Sequence, residues 1–443
     1  MKVIDETAEA AVAKKVYRRL TWFLMMMFVF SYLDRSNINF AALAMNKDLG
    51  LTATMFGFAN SVFYIAYVAA EIPSNIVMAR VGARLWIPRI MITWGLASAA
   101  TMFAVGSNSL YVLRALTGLA EAGFLPGVLL YITYWYPPSY RARATALFIM
   151  AQPITQMIGY PISGLILDLN GLGGLAGWKW LFLLEGIPSV FVGIWAYFYL
   201  ADRPPQATWL SEQERIQLQS AIARDDEKVQ PHGASDQSSV WRELASIPVL
   251  LLSLAYFGLV ISLVSNATWV PQMIRGFVTT QNFVTTGLVA AVPPLMAILT
   301  MPFWGRHSDA TQERKWHVAL PMILAAGSWM VVALADRAEI KFAGLIFVSI
   351  ATFAAQGIFW ALASNFLSTR ARPIGLAAIN TFGLLGSTAG PLVVGFLRDQ
   401  TGSFTEGLLF VTCSILIGAA CVLTLSREGA EFPHRHDLGA RTT

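Results

Sequence analysis

Apolar side chains along this chain gather into twelve long stretches separated by short polar loops: residues 20–45, 54–79, 85–105, 109–136, 143–168, 178–201, 246–272, 283–304, 317–335, 341–367, 373–398 and 404–425. Crossing ~30 Å of hydrocarbon takes about 20 apolar residues in a helix rising about 1.5 Å per residue, and each stretch is of that order. None alternates with the period of two that a membrane barrel needs, and an open sheet edge has no place in lipid. The pattern predicts an all-α integral membrane protein with twelve transmembrane helices. One polar interval, from about Asp202 to Glu243, is far longer than the rest and divides the spans six and six. It opens with a helix-capable stretch, Leu210 to Arg224, which Ser211 is placed to cap, and ends in residues rich in Ser, Asp and Gln. The expected organisation is a six-helix bundle over residues 1–201, a cytoplasmic linker over 202–245, and a second six-helix bundle over 246–443 ending in a short cytoplasmic tail.

Composition agrees. Of 443 residues, 56% are apolar and 13% charged, with a mean hydropathy of +0.56, more hydrocarbon than a soluble fold of this length could bury. Basic residues fall in every second loop: Lys14, Lys15, Arg18 and Arg19; Arg80, Arg84 and Arg89; Arg141 and Arg143; Arg306, Arg314 and Lys315; Arg370 and Arg372. Lys and Arg in short loops mark the cytoplasmic side, so both termini are expected in the cytoplasm, beneath an inner (plasma) membrane. Loops facing anionic lipid account for the net charge of +5 without a nucleic-acid partner. Residues 1–19 lack the apolar centre and cleavage site of a secretory signal, which predicts that the first span is retained. Cys413 and Cys421, eight apart on the last span, are too far along one helix for a disulfide and too few for a metal cluster, and are expected to pack. His307 and His317 flank a loop without ligand spacing, and His232, His434 and His436 lie in polar segments, so neither metal nor cofactor is expected.

Four ionisable residues stand inside the apolar runs: Asp34 and Arg35 in the first, Arg114 and Glu121 in the fourth. A charge at the bilayer centre costs roughly 2.5 to 3.5 kcal/mol on insertion scales, so these are the first candidates for function. Arg114 and Glu121 share one helix face, about 10.5 Å apart along the axis. Asp34 and Arg35 point roughly 100° apart, so one can face a central cavity and the other a neighbouring span; the sequence leaves open which. A guanidinium can hold a carboxylate through two parallel hydrogen bonds, which suits Arg35 and Arg114 to anion binding. A carboxyl group in an apolar site beside an Arg can be poised to load and release a proton, a role open to Asp34 and Glu121. The competing reading is a static ion-pair network between spans one and four. No nucleophile–base pair, metal cluster or phosphate loop suggests an enzyme.

Sliding the chain against itself by about 230 residues brings Arg141 and Arg143 onto Arg370 and Arg372, and Pro161, Gly164 and Asp168 close to Pro391, Gly395 and Asp399. It also brings the loop from Arg80 to Arg84 near Gly305 to Asp309, with Arg314 and Lys315 following. Three matches in order favour duplication. With this repeat the chain resembles the major facilitator superfamily, and Gly305 to Lys315 looks like its cytoplasmic signature. The resemblance implies that Gly305 permits close helix approach, that the acid Asp309 caps a neighbouring helix, and that basic residues such as Arg314 stay at the lipid surface. The first copy departs from the pattern, with Ala79 where an Asp is usual and Asn75 where a Gly is usual, so the first-half gate is expected to be latched differently.

The segments Tyr32 to Ile38, Glu71 to Asn75, Arg114 to Gly127 and Leu183 to Gly186 together resemble the anion:cation symporter branch of that superfamily. The resemblance implies proton coupling through Asp34 and Glu121 and anion binding by Arg35 and Arg114. Tyr67, Gln152 and Asn380 match polar positions lining the family's cavity, with ordinary interhelical hydrogen bonds as an equal alternative. Gln356, Trp360 and Asn365 are weaker candidates, and Glu71 and Glu185 are given structural or gating roles. The expected protein is a monomer in the lipid bilayer, importing a small organic anion with protons by alternating access. Gly50 to Gly57, Gly118 to Tyr136 and Gly177 to Leu184 look most like permeases for 4-hydroxyphenylacetate, phthalate and tartrate, with aromatic acids ahead of hydroxy acids. A proton-coupled exporter of drugs or metabolites is the alternative.

Overall fold

All twelve predicted spans are helical in the computed structural model, which describes residues 6–136, 138–229, 244–277, 282–368 and 371–425. Arg370, His232, His434, His436 and the side chains of Arg141 and Arg143 lie outside what is described. Helix α1 (Glu6–Val16) runs through a π-helical turn at Tyr17–Thr21 into α2 (Trp22–Asp48), the first span. Then follow α3 (Ala53–Val81), α4 (Ala83–Ala100), α5 (Ser107–Glu121), α6 (Phe124–Trp135), α7 (Pro138–Leu167) and α8 (Gly177–Tyr199). Helix α9 (Glu212–Val229) belongs to the linker, and α10 (Ile247–Phe277), α11 (Phe283–Thr311), α12 (Lys315–Leu334), α13 (Ala338–Ser364), α14 (Arg372–Thr401) and α15 (Thr405–Thr424) are the last six spans.

The fourth span corrects the sequence reading, because the single run predicted over 109–136 is two helices. Ala122 leaves helical geometry (φ −55°, ψ 131°) and Gly123 turns left-handed (φ 87°), breaking the span directly after Glu121. A side chain at Gly123 would also meet the side chain of Ser74, so glycine is required there on two counts. Nine stretches of the described residues are long and apolar enough to cross a membrane unaided. Helices α2, α4 and α7 complete the twelve; α2 is less apolar because it carries Asp34, Arg35, Lys47 and Asp48.

Packing repeats between the halves. In the first, α2 lies on α7 and α8, α3 on α5, and α4 on α5 and α8; in the second, α10 lies on α14 and α15, α11 on α13, and α12 on α13 and α15. Each contact in one half is the same pair of spans, six further on, in the other. The halves meet through α3 against α14, α7 against α11 and α2 against α10. Large apolar side chains such as Phe191, Phe198 and Phe303 face outward, as a hydrocarbon solvent permits. Cys421 packs inside as expected, whereas Cys413 is exposed, because it lies on the outward face of α15.

The linker helix is anchored to the first half. Its start is a capping box: the Glu214 N–H donates to Ser211 Oγ at 3.3 Å, and the Ser211 N–H donates to Glu214 Oε2 at 2.8 Å. Lys15 of α1 donates to the same carboxylate at 2.8 Å, and this bond holds Glu214 below the usual carboxylate range.

Candidate functional site

Arg35 of α2 donates from Nη2 to Glu121 Oε1 at 2.6 Å, and Ser31, one turn earlier, donates to the same oxygen at 2.9 Å. The Arg35 guanidinium also lies 5.4 Å from the ring centre of Phe63 and 5.2 Å from that of Tyr67, both on α3. Arg114 sits 4.5 Å over the same Phe63 ring. Phe63 is therefore the hub around which Arg35, Arg114 and Glu121 assemble. The sequence reading passed over it; the signal was an aromatic pair at Phe63 and Tyr67, one turn apart on a span beside the charged ones.

Arg114 is only 2% exposed, and no hydrogen bond or ion pair satisfies it among the described residues; its Nε is buried without a partner. Glu121 Oε2 is bare in the same way. A buried guanidinium without an anionic partner is a costly arrangement unless a ligand completes it.

Asp34 turns the other way. Its carboxylate accepts from Trp94 Nε1 at 2.9 Å and Ser98 Oγ at 3.0 Å, both on α4, and from Ser189 Oγ of α8 at 2.5 Å. The choice left open by the sequence is thus resolved: Arg35 faces Glu121, and Asp34 faces the seam between α4 and α8. The four charged residues do not share one chamber by direct contact.

The predicted polar residues are spread more widely. Tyr67 is buried under Arg35, and Gln152 is half-buried on α7 with its Oε1 unpartnered. Asn380 is half-buried on α14. Gln356 is buried on α13, Trp360 packs 4.7 Å from the ring of Tyr256, and Asn365 is exposed at the end of α13.

At the end of the bundle remote from α1, two matching joints close one half on the other. Asp399, near the end of α14, accepts from the N–H groups of Ala53 and Thr54 at 2.9 and 2.7 Å, the first turn of α3. Asp168, just past α7, accepts from the N–H groups of Phe283 and Val284 at 3.0 and 3.2 Å, the first turn of α11. A carboxylate at a helix N-terminus meets both free N–H groups and the positive end of the dipole. Glycines let the backbones touch: a side chain at Gly57 would collide with the backbone of Pro391, at Gly395 with Ala53, at Gly164 with Phe283, and at Gly287 with Tyr160. The motif shared by Pro161, Gly164 and Asp168 with Pro391, Gly395 and Asp399 is therefore a duplicated inter-half contact.

The loops at the opposite end revise the signature reading. A side chain at Gly305 would meet nothing within 4 Å, so in this conformation the glycine permits no close approach. Asp309 does not cap a helix; Arg314 Nη2 holds it at 2.6 Å, because Glu313 occupies the capping position. Glu313 accepts from the N–H groups of Trp316 and His317 at 2.8 and 3.2 Å, starting α12. Burial opposes the ionised form of Glu313, but these donors outweigh it and hold the carboxyl below its usual range. His307 Nδ1 and His317 Nε2 lie 2.7 Å apart, a pairing that their spacing had not suggested. In the first half, Asp202 supplies what Ala79 cannot: it accepts from the Arg84 N–H at 2.7 Å, and its carboxylate fills the space beside Gly82 (φ 92°). The first-half loop is latched differently, as expected, by an acid from beyond span six.

A family model described as Major Facilitator Superfamily matches residues 24–391. The chain belongs to that superfamily. It is 41% identical to an Agrobacterium vitis protein named as a tartrate transporter, over 96% of this chain and 94% of the relative. A second such protein from the same organism is 40% identical over 97% and 98%. The metabolite transport protein NicT of Pseudomonas putida is 37% identical over 93% and 94%. Among solved structures, the inward-open xylose transporter XylE from E. coli superposes with a TM-score of 0.74 at 13% identity, covering 92% of this chain and 96% of that one, a likeness of fold alone. A facilitator with these relatives is a multi-pass membrane transporter of small organic substrates and not an enzyme.

Proposed function

We propose that the protein is a proton-coupled symporter that imports a small organic carboxylate across the inner membrane, with both termini in the cytoplasm. The supporting observation is Arg114, a buried cation without a counter-ion, beside an Arg35–Glu121 pair that has one carboxylate oxygen to spare. A substrate carboxylate supplies the missing anion. A proton taken up by Glu121 discharges the pair and frees Arg35 to join Arg114 on the substrate; its loss returns Arg35 to Glu121 and ejects the anion. Asp34 is the second proton-coupling acid, and Tyr67, Gln152 and Asn380 supply neutral contacts. The bundles 1–201 and 246–443 rock about this site, with the Asp168 and Asp399 joints sealing the periplasmic end. The loop residues Gly305, Asp309 and Arg314 act at the cytoplasmic gate. The names of the relatives put a hydroxy dicarboxylate such as tartrate ahead of an aromatic acid as substrate.

The test is uptake of labelled tartrate, phthalate and 4-hydroxyphenylacetate into proteoliposomes under an imposed pH gradient. Accumulation that an uncoupler abolishes is expected; uptake indifferent to the gradient overturns the coupling. One relative, from Acinetobacter baumannii, is named a quinolone resistance transporter and is 32% identical over 93% of this chain, which keeps proton-coupled export as a second reading. Efflux of a dye with no carboxylate uptake would favour it.

A further inference from the structure

One buried acid has no part in that cycle. Glu185, given only a structural or gating role by the sequence, lies in the interior of α8 and is 2% exposed. Ser163 of α7 donates to its Oε1 at 2.7 Å, and its Oε2 is buried without a partner. Asp34, in the same seam, takes three donors on its two oxygens, and one of them, Ser189, is the residue one turn beyond Glu185 on α8. Among the described residues Glu185 has one hydrogen-bond donor, Ser163 from α7, while α4 brings the backbone of Gly95 and Ala99 against the adjacent Gly186 and turns its polar side chains, Trp94 and Ser98, to Asp34 of α2.

A carboxyl with three donors is suited to the anion. A carboxyl with one donor and a bare, buried oxygen is suited to the neutral acid, since ionising it would bury a charge with little to stabilise it. Ser189, one turn from Glu185 on the same face of α8, bonds Asp34, so the two acids are neighbours in the seam, and neighbouring buried acids titrate as a pair.

We propose that Glu185 and Asp34 share one proton. In the conformation described here Glu185 holds it and Asp34 is the carboxylate. During the cycle the proton passes to Asp34, leaving Glu185 as the anion and the charge of the seam unchanged. This deepens the symport reading by adding a proton-holding residue behind the substrate site, and it depends on that reading for its role in transport.

Glu185→Gln keeps the size and the acceptor for Ser163 but cannot ionise. Substrate binding and exchange of labelled for unlabelled substrate are expected to stay within about twofold of the unmodified protein, while accumulation driven by a pH gradient falls at least about tenfold. Normal accumulation overturns the proposal, because a merely structural acid tolerates glutamine. A second measurement needs no transport: the infrared carbonyl band of a neutral carboxylic acid, present at neutral pH in the unmodified protein and in Asp34→Asn, is lost in Glu185→Gln. An unchanged band in Glu185→Gln would show that Glu185 holds no proton, whatever transport does. An unmodified protein that never accumulates carboxylate would count against symport instead.

Discussion

In the first half of the molecule the indole N–H of Trp94 donates to the carboxylate of Asp34; in the second half the indole N–H of Trp329 donates, at 2.8 Å, to the hydroxyl of Ser262. The two tryptophans occupy matching spans, three and nine, and point at matching spans, one and seven. Around Asp34 the interior also carries Arg35, Arg114, Glu121 and Glu185, whereas around Ser262 the partners are Thr352 at 3.1 Å and, nearby, Asn266 bonded to Ser349 at 3.0 Å, all neutral. The bundle plan thus needs a hydrogen bond at this place but no charge. Among the described residues the buried carboxylates and guanidinium stand in one half only, whereas the outer joints occur in both copies. Chemistry is confined to one side while closure is shared.

That contrast can be broken at its strongest point by Arg114→Ala. Removing the charged donor should weaken carboxylate binding about 10- to 100-fold, corresponding to the ~1.5–3 kcal/mol of a charged hydrogen bond, while Gln356→Ala in the second half leaves affinity within about fivefold. Calorimetric titration with tartrate checks both, and unchanged affinity in Arg114→Ala would remove that residue from the site. Next in size is Glu121→Gln, expected to abolish uphill uptake and leave counterflow measurable; normal concentration of substrate by this variant would mean the proton is carried elsewhere. Asp34→Asn and Ser262→Ala form the matched pair: the first should lose gradient-driven uptake, and the second should transport normally and lose about 1 kcal/mol of stability, read as a small drop in melting temperature.

A smaller effect sharpens the shared part. Asp168→Asn and Asp399→Asn each remove a charged helix cap worth about 0.5–1 kcal/mol, and as separate joints they should add in the double variant. Labelling of a cysteine placed between the halves at Ser61 should rise equally in either single variant and further in the double; a response to one alone would make the joints unequal. The smallest change concerns the linker. Because the Lys15 contact lowers the Glu214 carboxyl in the folded protein, its contribution is present above the unfolded value and is lost as pH falls through the lowered one. Detachment of α9 on acidification, followed by a fluorophore on the linker, should vanish in Lys15→Ala.

The twelve spans and the repeat were legible because apolar length and the spacing of Pro, Gly and Asp are written along the chain. The start of α9 was legible for the same local reason, since Ser211 and Glu214 carry their own capping signal. What escaped was set by contacts distant in sequence. Nothing near Asp202 announces that it will cap α4, and nothing near Asp34 tells which way it turns until Trp94, Ser98 and Ser189 converge on it. The break after Glu121 was hidden because an unbroken apolar run does not reveal a left-handed glycine.

The glycines at the two outer joints have a mechanical implication. Where Gly57 meets Pro391 and Gly287 meets Tyr160, main chain lies against main chain. At these points the faces can part without a side chain having to move aside, and little freedom is lost on coming back together. In the proposed cycle such a seal acts as a smooth bearing, reusable at every turnover, with the two carboxylates as catches that set how firmly it rests shut.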